Sequence, residues 1–301
     1  MSGGIDSTVA AITLKDQGYD VVGVYMRNWD SSDEAGTETC QIEKDREDML
    51  SVCDHIGIKS HIVDFSKDYW NDVFVPFIEA YETGLITPNP DVYCNRHIKY
   101  DRFLNYVQDE LGIGTMATGH YSQLGVAPSS LSSSSHSSSM LIQGVDYGKD
   151  QTYFLSMTPL ERLARCIFPI GHLTKPQVRA IAMKDHRLKG LNVLMKKESM
   201  GICFVGKRSM QEFLGGYISL TVGRFLCVDT GTVIGTHGGR ELLTTGQRAR
   251  VGGCPEPYYV VDRPPVGYTL PNGDMVENGD VLVGKGHHTP YSSLQQLNYL
   301  L

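Results

Sequence analysis

The 301-residue chain contains no apolar run approaching the about eighteen residues that a membrane-crossing helix needs, so no membrane span is expected. It also lacks an excess of basic residues. The 27 Lys and Arg stand against 34 Asp and Glu, a net charge of −7. Proteins that coat nucleic acid without sequence preference are usually basic, which argues against that role and against DNA as a partner. The opening Met1-Ser2-Gly3-Gly4-Ile5-Asp6 has neither a basic stretch nor an apolar one, so no secretory leader is expected. Cysteine is present, but not as a disulfide framework: seven residues, at 40, 53, 94, 166, 203, 227 and 254, are an odd number spread over a long chain. The expectation is free thiols in a reducing compartment. No Cys-x-x-Cys pair occurs, and Cys40 with Cys53 is poor ligand spacing, so a zinc site is rejected and no metal-ligating cluster is assigned. No internal repeat is visible.

What is present is an ordinary globular composition, 41% hydrophobic and 20% charged, at a length that suggests two or three domains. The first 120 residues alternate helical patterns with short apolar runs. A helix at 7–17 stops at Gly18, and Val21–Met26 reads as a buried strand. A helix at 43–56 ends at Gly57, and His61–Phe65 is the next strand. A helix from about 96 to 111 carries Tyr100, Phe103, Leu104, Val107 and Leu111 on one face and stops at Gly112. Thr115–Thr118 is a further strand. Such alternation predicts an α/β domain with a parallel sheet. The serine-rich tract 127–139 buries almost nothing and reads as a surface insertion. Helix returns over 157–197, with Thr174 as a cap and Pro176 in the first turn. From about 215 the texture becomes β-like, with Arg224–Val228, Thr232–Ile234, Tyr258–Val261 and Asp280–Val283 between glycine-rich turns. The domains expected are therefore 1–205 (α/β), 206–264 (small and β-rich) and 265–301 (part of a further β domain).

Ser2-Gly3-Gly4-Ile5-Asp6-Ser7 opens the first helix. Paired glycines permit positive φ and let backbone N–H groups approach an anion. The helix start behind them adds unsatisfied N–H groups and the positive end of its dipole. Ser2 and Ser7 supply hydroxyl donors, and Asp6 could hold Mg²⁺ against phosphates. No Gly-Lys-Ser/Thr follows, so the loop is not a Walker A motif. The plainer alternative is a glycine-rich turn with a Ser or Asp cap.

Two cysteine contexts stand out. Asn89-Pro90-Asp91-Val92-Tyr93-Cys94-Asn95 sets a carboxylate three residues before a cysteine at a helix start. A thiol there is shifted toward its nucleophilic thiolate, and Asp91 could exchange a proton with a substrate. Read alone, the local sequence favours Cys94 as a small buried hydrophobe, with Asn89 and Pro90 as helix-start residues. In Glu198-Ser199-Met200-Gly201-Ile202-Cys203-Phe204-Val205-Gly206, glycines flank an apolar run as at a strand end, where Cys203 by itself would be a core residue. Two groups of cations, Lys184, Arg187 and Lys189 with Lys196 and Lys197, and Arg240 with Arg248 and Arg250, are either pieces of a local basic groove or solvated surface charge.

The hexapeptide at 2–7 resembles the pyrophosphatase loop of the PP-loop ATPases. Taken in order, Asn89-Pro90-Asp91-x-x-Cys94-Asn95-x-x-Ile98-Lys99, Ala117-Thr118-Gly119-His120-Tyr121, Lys149-Asp150-Gln151-Thr152-Tyr153-Phe154-Leu155 and the Cys203 segment are similar to the tRNA-specific 2-thiouridylases. Thr245-Gly246-Gln247-Arg248 and Glu256-Pro257-Tyr258-Tyr259-Val260 extend the similarity to about residue 262. The resemblance implies a nucleotide α-hydrolase-like sheet, a β-rich central domain, and a C-terminal β-barrel of which 265–301 is a part. It further implies a strand ahead of the phosphate loop, which a chain opening at Met1 does not contain, and a tRNA-gripping Arg-Tyr element beyond Leu301.

The activity implied is ATP-dependent 2-thiolation of the wobble uridine of tRNA. ATP with Mg²⁺ would adenylate the uridine O2, and sulfur would arrive as a persulfide from a donor protein. By motif, Cys203 carries the persulfide, Cys94 is the nucleophile that helps release its sulfur, Asp91 is the general acid/base, and a Cys94–Cys203 disulfide follows. Ser2, Gly3, Gly4, Ile5, Asp6 and Ser7, with Met26 and Gly119, match the nucleotide site. Asn89, Pro90, Asp91, His120, Lys149, Asp150 and Gln151 match positions that face the tRNA. Local alternatives are a core-facing Met26, a hydrogen-bonded strand-end His120 and a surface Lys149. Another PP-loop adenylating ligase would need no cysteine pair. A paralogue that only binds tRNA would be indifferent to the loss of either cysteine. The serine-rich insertion leans toward a eukaryotic, mitochondrial protein, with the cytoplasm as the other location.

Overall fold

The computed structural model describes residues 1–29, 41–83, 88–126, 139–196, 205, 209–270 and 272–286. Cys203 and most of the serine tract lie outside them. The chain divides into two compact units, one of Met1–Phe74 with Pro90–Ile202, the other of Val75–Asn89 with Cys203–Leu301.

The first unit is built on helix α1, Ile5–Asp16. This helix is apolar on nearly every side, the pattern of a buried helix. Val9 and Ile12 pack with Val52 and Ile56 of helix α2 (Gln41–Ile56) and with Val178 and Ala182 of the Lys175–Lys184 helix. Gly18 ends α1 at φ 91° and Gly57 follows α2 at φ 67°, left-handed conformations that favour glycine. Between the two helices runs strand β1, Val22–Arg27, which pairs in parallel with β2, Lys59–Asp64, Val24 facing His61. A second parallel pair joins β3, Met116–Ala117, to β6, Cys166–Ile167. Strands β4 (Ser122–Val126) and β5 (Ser139–Gln143) form an antiparallel hairpin whose connection is the serine tract. The parallel sheet thus takes the form of two parallel pairs. Strands β1 and β3 are not paired with each other, and a cavity of about 780 Å³ lies between them. The Val24 carbonyl on that edge of β1 accepts a hydrogen bond from the Met1 amine.

The helix expected over 96–111 differs in its winding. Helical turns begin at Pro90–Tyr93, widen to a π-helix over Cys94–Phe103 and return to α over Leu104–Asp109. The wide turns break the 3.6-residue period, so Cys94, Asn95, Ile98 and Tyr100 are buried together while Phe103 and Leu111 remain partly exposed. Such stretches are uncommon and concentrate at functional sites. Thr174 caps the Lys175–Lys184 helix in a reciprocal box with Gln177, with Pro176 in the first turn.

The second unit is a five-stranded sheet in the order β8 (Val233–His237), β7 (Gly223–Cys227), β11 (Val281–Lys285), β10 (Tyr258–Asp262) and β9 (Arg248–Ala249). Only β7 and β11 are parallel. Irregular register after Phe225 and after Val260 curls it into a half-barrel. Both faces are apolar, Phe225, Cys227 and Val283 on one side and Leu226, Val228 and Leu282 on the other.

Candidate active site

The phosphate loop is held open by backbone geometry. Gly3 adopts φ 68°, and a Cβ there would meet the Asp45 carbonyl. A Cβ on Gly119 would lie 2.8 Å from Ser7 N and 2.9 Å from the Asp6 carbonyl carbon. Helix α1 is preceded by Gly4 as its N-cap, with no side-chain cap. The plainer reading of a Ser- or Asp-capped turn therefore does not hold: the first N–H groups of α1 have no intrahelical partners and face the loop. Ser7 Oγ donates to the Gly4 carbonyl (3.0 Å), accepts from the Ser2 N–H (3.1 Å) and lies 3.2 Å from Ser2 Oγ, which fixes both hydroxyls at the loop mouth. A glycine cradle in which side chains do not fit, an uncapped helix start and hydroxyl donors fit a polyphosphate, and the Asp6 carboxylate fits a hard cation.

The cavity beside the loop is bordered by Ser2, Asp6, Ser7, Met26, Gly119, His120 and Gln151, so residues expected at the nucleotide and at the tRNA meet in one place. Asp6 is the node. Lys175 Nζ donates to both its carboxylate oxygens (2.8 and 2.7 Å), and Tyr121 Oη donates to Oδ1 (2.8 Å). Gln151 Oε1 accepts from the Tyr121 N–H (3.0 Å), tying the 149–151 turn to the same network. Lys175 is absent from the sequence-based site. Its one signal is a local conflict: a cation at the first position of a helix opposes the dipole, and Asp6 resolves it from 169 residues away. Lys196, in sequence only one of a group of cations, bonds the Gly3 carbonyl (3.0 Å) and pairs with Asp45 (2.6 Å) and Asp48 (2.8 Å), bracing the loop against α2.

Other expected positions have different work. His120 is 8% exposed, and its Nδ1 is engaged by Thr118 Oγ1 (2.8 Å) and Tyr100 Oη (3.0 Å). Burial, aided by the Lys99 charge, pushes its pKa well below the usual imidazole value, so the ring is neutral. It is the hydrogen-bonded strand-end histidine of the alternative reading, though it also borders the cavity. Asp150 Oδ1 accepts from the Gly144 N–H (2.8 Å) and Thr152 Oγ1 (2.7 Å), which holds its own turn, and the Lys149 N–H donates to the Asp146 carbonyl. Arg187 is engaged by Asp16 and Asp185, and Arg240 by the carbonyls of Arg263 and Pro264. With Lys196, these two arginines are internal braces, whereas Lys184, Lys189, Arg248 and Arg250 of the same groups are exposed.

Cys94 is 5% exposed, at the first residue of the π-helical turns and one turn after the half-buried Asp91; Pro90 is buried and Asn89 half-buried. Its sulfur accepts from Asn28 Nδ2 (3.8 Å), just beyond the end of β1. Asn28 is a second residue that the sequence does not single out, since nothing local distinguishes it. The thiols of Cys166 and Cys53 are in inert surroundings: burial pushes Cys166 up to about 12, and Cys53 is also raised by burial. Among the described residues no group of three or more His, Cys, Asp and Glu could hold a metal ion, and no helix is long and apolar enough to cross a membrane.

Residues 1–207 match the tRNA methyl transferase HUP domain family and residues 211–270 the tRNA methyl transferase PRC-barrel domain family. The chain is 44% identical over 278 residues to the mitochondrial tRNA-specific 2-thiouridylase 1 of Mus musculus and 45% identical to that of Homo sapiens, in each case over 87% of this chain and 65% of the relative. It is 43% identical over 292 residues to the tRNA-specific 2-thiouridylase MnmA of Halalkalibacterium halodurans, over 96% of this chain and 71% of that protein. The chain thus spans 65% of the length of its mammalian relatives.

Proposed function

The chain belongs to the tRNA-specific 2-thiouridylase family, and from that membership we propose that it converts the wobble uridine of tRNA to 2-thiouridine. The observation that carries the proposal is an uncapped phosphate loop and a buried, amide-bonded cysteine in one α/β unit.

In this reading Ser2, Gly3, Gly4, Ile5 and Ser7 hold the polyphosphate of ATP, Asp6 holds Mg²⁺, and Met26 and Gly119 border the adenosine. Bound there, ATP supplies the adenylyl group that turns the uridine O2 into a leaving group. Asn89, Pro90 and Asp91 face the flipped base, with Asp91 as the proton-exchanging group. His120, Lys149, Asp150 and Gln151 support the surface that meets the tRNA. Cys203 carries the sulfane sulfur delivered by a donor protein. The Cys94 thiolate attacks the Cys203 sulfur, forming a Cys94–Cys203 disulfide and releasing hydrosulfide. Hydrosulfide attacks C2, forming the C–S bond as the C–O bond to AMP breaks. A dithiol reductant then restores both thiols. A disulfide between them requires their Cα atoms to come within about 7 Å. The mammalian relatives are mitochondrial by name, and mitochondria are the location we assign.

The test is transfer of ³⁵S from a persulfide donor to tRNA with ATP and Mg²⁺, comparing wild type, Cys94→Ser and Cys203→Ser. Label in tRNA that is lost in both variants supports the reading. Label unaffected by either change overturns the cysteine roles. Absence of label with tRNA still bound identifies a tRNA-binding paralogue, and adenylation of a small molecule instead identifies a PP-loop ligase.

A further inference from the structure

A second feature lies beside Cys94. Asn28 directly follows β1, at the carboxyl end of a parallel strand, where open α/β sheets bind their ligands. Its Nδ2 is given to the Cys94 sulfur, while its Oδ1 is buried and has no hydrogen-bond partner among the described residues. A buried carbonyl oxygen without a donor is costly and calls for an explanation. The amide is also held in place. Trp29, the next residue, is wedged among Tyr69, Trp70 and Phe74, with ring centroids 6.4, 5.6 and 4.9 Å away. The sulfur sets which end of the amide is open: it accepts from the N–H end, which leaves the oxygen for a donor.

We propose that Asn28 is a specificity residue, whose Oδ1 accepts the N3–H of the target uracil while its Nδ2 holds the Cys94 sulfur. This rests on the thiolation reading. N3 is bonded directly to C2, so a base whose C2 receives sulfur released at Cys94 brings N3 close to any group that bonds that sulfur. Uracil carries a proton on N3. Cytosine carries a lone pair there, which would face the Asn28 oxygen and be repelled. One amide thus tests the base and orients the nucleophile.

The test uses an anticodon stem–loop RNA with uridine, cytidine or 3-methyluridine at the target position. Its binding to the full chain is measured by fluorescence anisotropy for wild type, Asn28→Ala and Asn28→Asp. Wild type is expected to favour uridine over either analogue by about fivefold or more, the scale for leaving one buried polar group unpaired. Asn28→Ala should bring the three RNAs to within about twofold of each other. Asn28→Asp keeps the acceptor and should retain the uridine preference. It replaces the N–H donor to Cys94 with a negative charge, so the pH midpoint for alkylation of Cys94 by iodoacetamide should rise. An Asn28→Ala protein that folds, as judged by its melting temperature, and keeps the wild-type preference overturns the inference. So does a wild type that does not distinguish uridine. If uridine selection disappears in Asn28→Ala but wild type transfers no sulfur, the thiolation reading fails while the base-reading role stands. Sulfur transfer with unchanged base selection in Asn28→Ala removes the base-reading role and leaves the thiolation reading in place.

Discussion

The α/β unit and the β unit use the same two devices, close backbone approach at glycine and a partly buried ion pair, to opposite ends. In the α/β unit Gly3 and Gly119 press backbone against backbone around a loop that stays open, and the Asp6–Lys175 pair sits at its mouth. In the β unit Gly223, at the start of β7, and Gly279, in the turn before β11, press backbone against backbone with nothing between them, and Arg224 closes on Asp280 (2.6 Å), whose side chain is 1% exposed. Burial raises the Asp280 pKa, but the Arg224 guanidinium and the Glu277 N–H outweigh it and hold the carboxyl below its usual range. An ion pair at a cavity can exchange its partner for a ligand. One closed inside a sheet has only its fold to stabilise, and removing one partner leaves a buried charge.

Substitutions should separate the two uses. Cys94→Ser is expected to lower sulfur transfer by more than about 10³-fold, because hydroxyl replaces the nucleophile, while its melting temperature stays close to wild type. Arg224→Ala should instead destabilise the β unit by about 3 kcal/mol in urea unfolding, through the uncompensated Asp280 carboxylate. A loss of less than about 1 kcal/mol would mean that the pair behaves as an exposed one. Lys175→Met should raise the KM for ATP and lower kcat/KM by about 10²-fold, the scale for removing one charged donor from a phosphate site. Lys175→Arg should recover part of that loss. A variant that only loses stability would move Lys175 into the structural class.

The smallest effect expected is on pH. His120 is held neutral in the fold with its pKa depressed, so the unfolded chain binds a proton that the native state refuses. Stability is therefore full above the ordinary histidine pKa and falls as pH drops below about 6.5 toward the folded value. His237 in the β unit is depressed too, by burial partly offset by the Gly279 backbone, but less strongly. Hydrogen exchange between pH values of about 7.5 and 5.5, either side of the ordinary histidine pKa, should thus show the α/β unit losing protection more steeply. His120→Asn should flatten its slope and leave the β unit unchanged.

Much of this molecule is local and readable along the chain. The glycine stops at 18, 57 and 112 sit where positive φ is needed, Thr174 caps its helix, and β1, β7, β10 and β11 lie on the apolar runs that foreshadow them. Each depends on residues within a turn or two, whose spacing is itself the signal. The phosphate loop and the Cys94 context are of the same kind. What emerges only on folding is non-local: Tyr121 and Lys175 reaching Asp6 across 115 and 169 residues, Lys196 bracing Gly3 across 193, and Asn28 meeting Cys94 across 66. The π-helical winding that buries Cys94 with Asn95 belongs here as well, since Asn95 is anchored by the Phe154 carbonyl (2.9 Å). Such contacts carry no periodicity, and a lysine bound for an active-site aspartate looks locally like one bound for water. Chain closure decides between them, through the desolvation and pairing that only a packed site imposes.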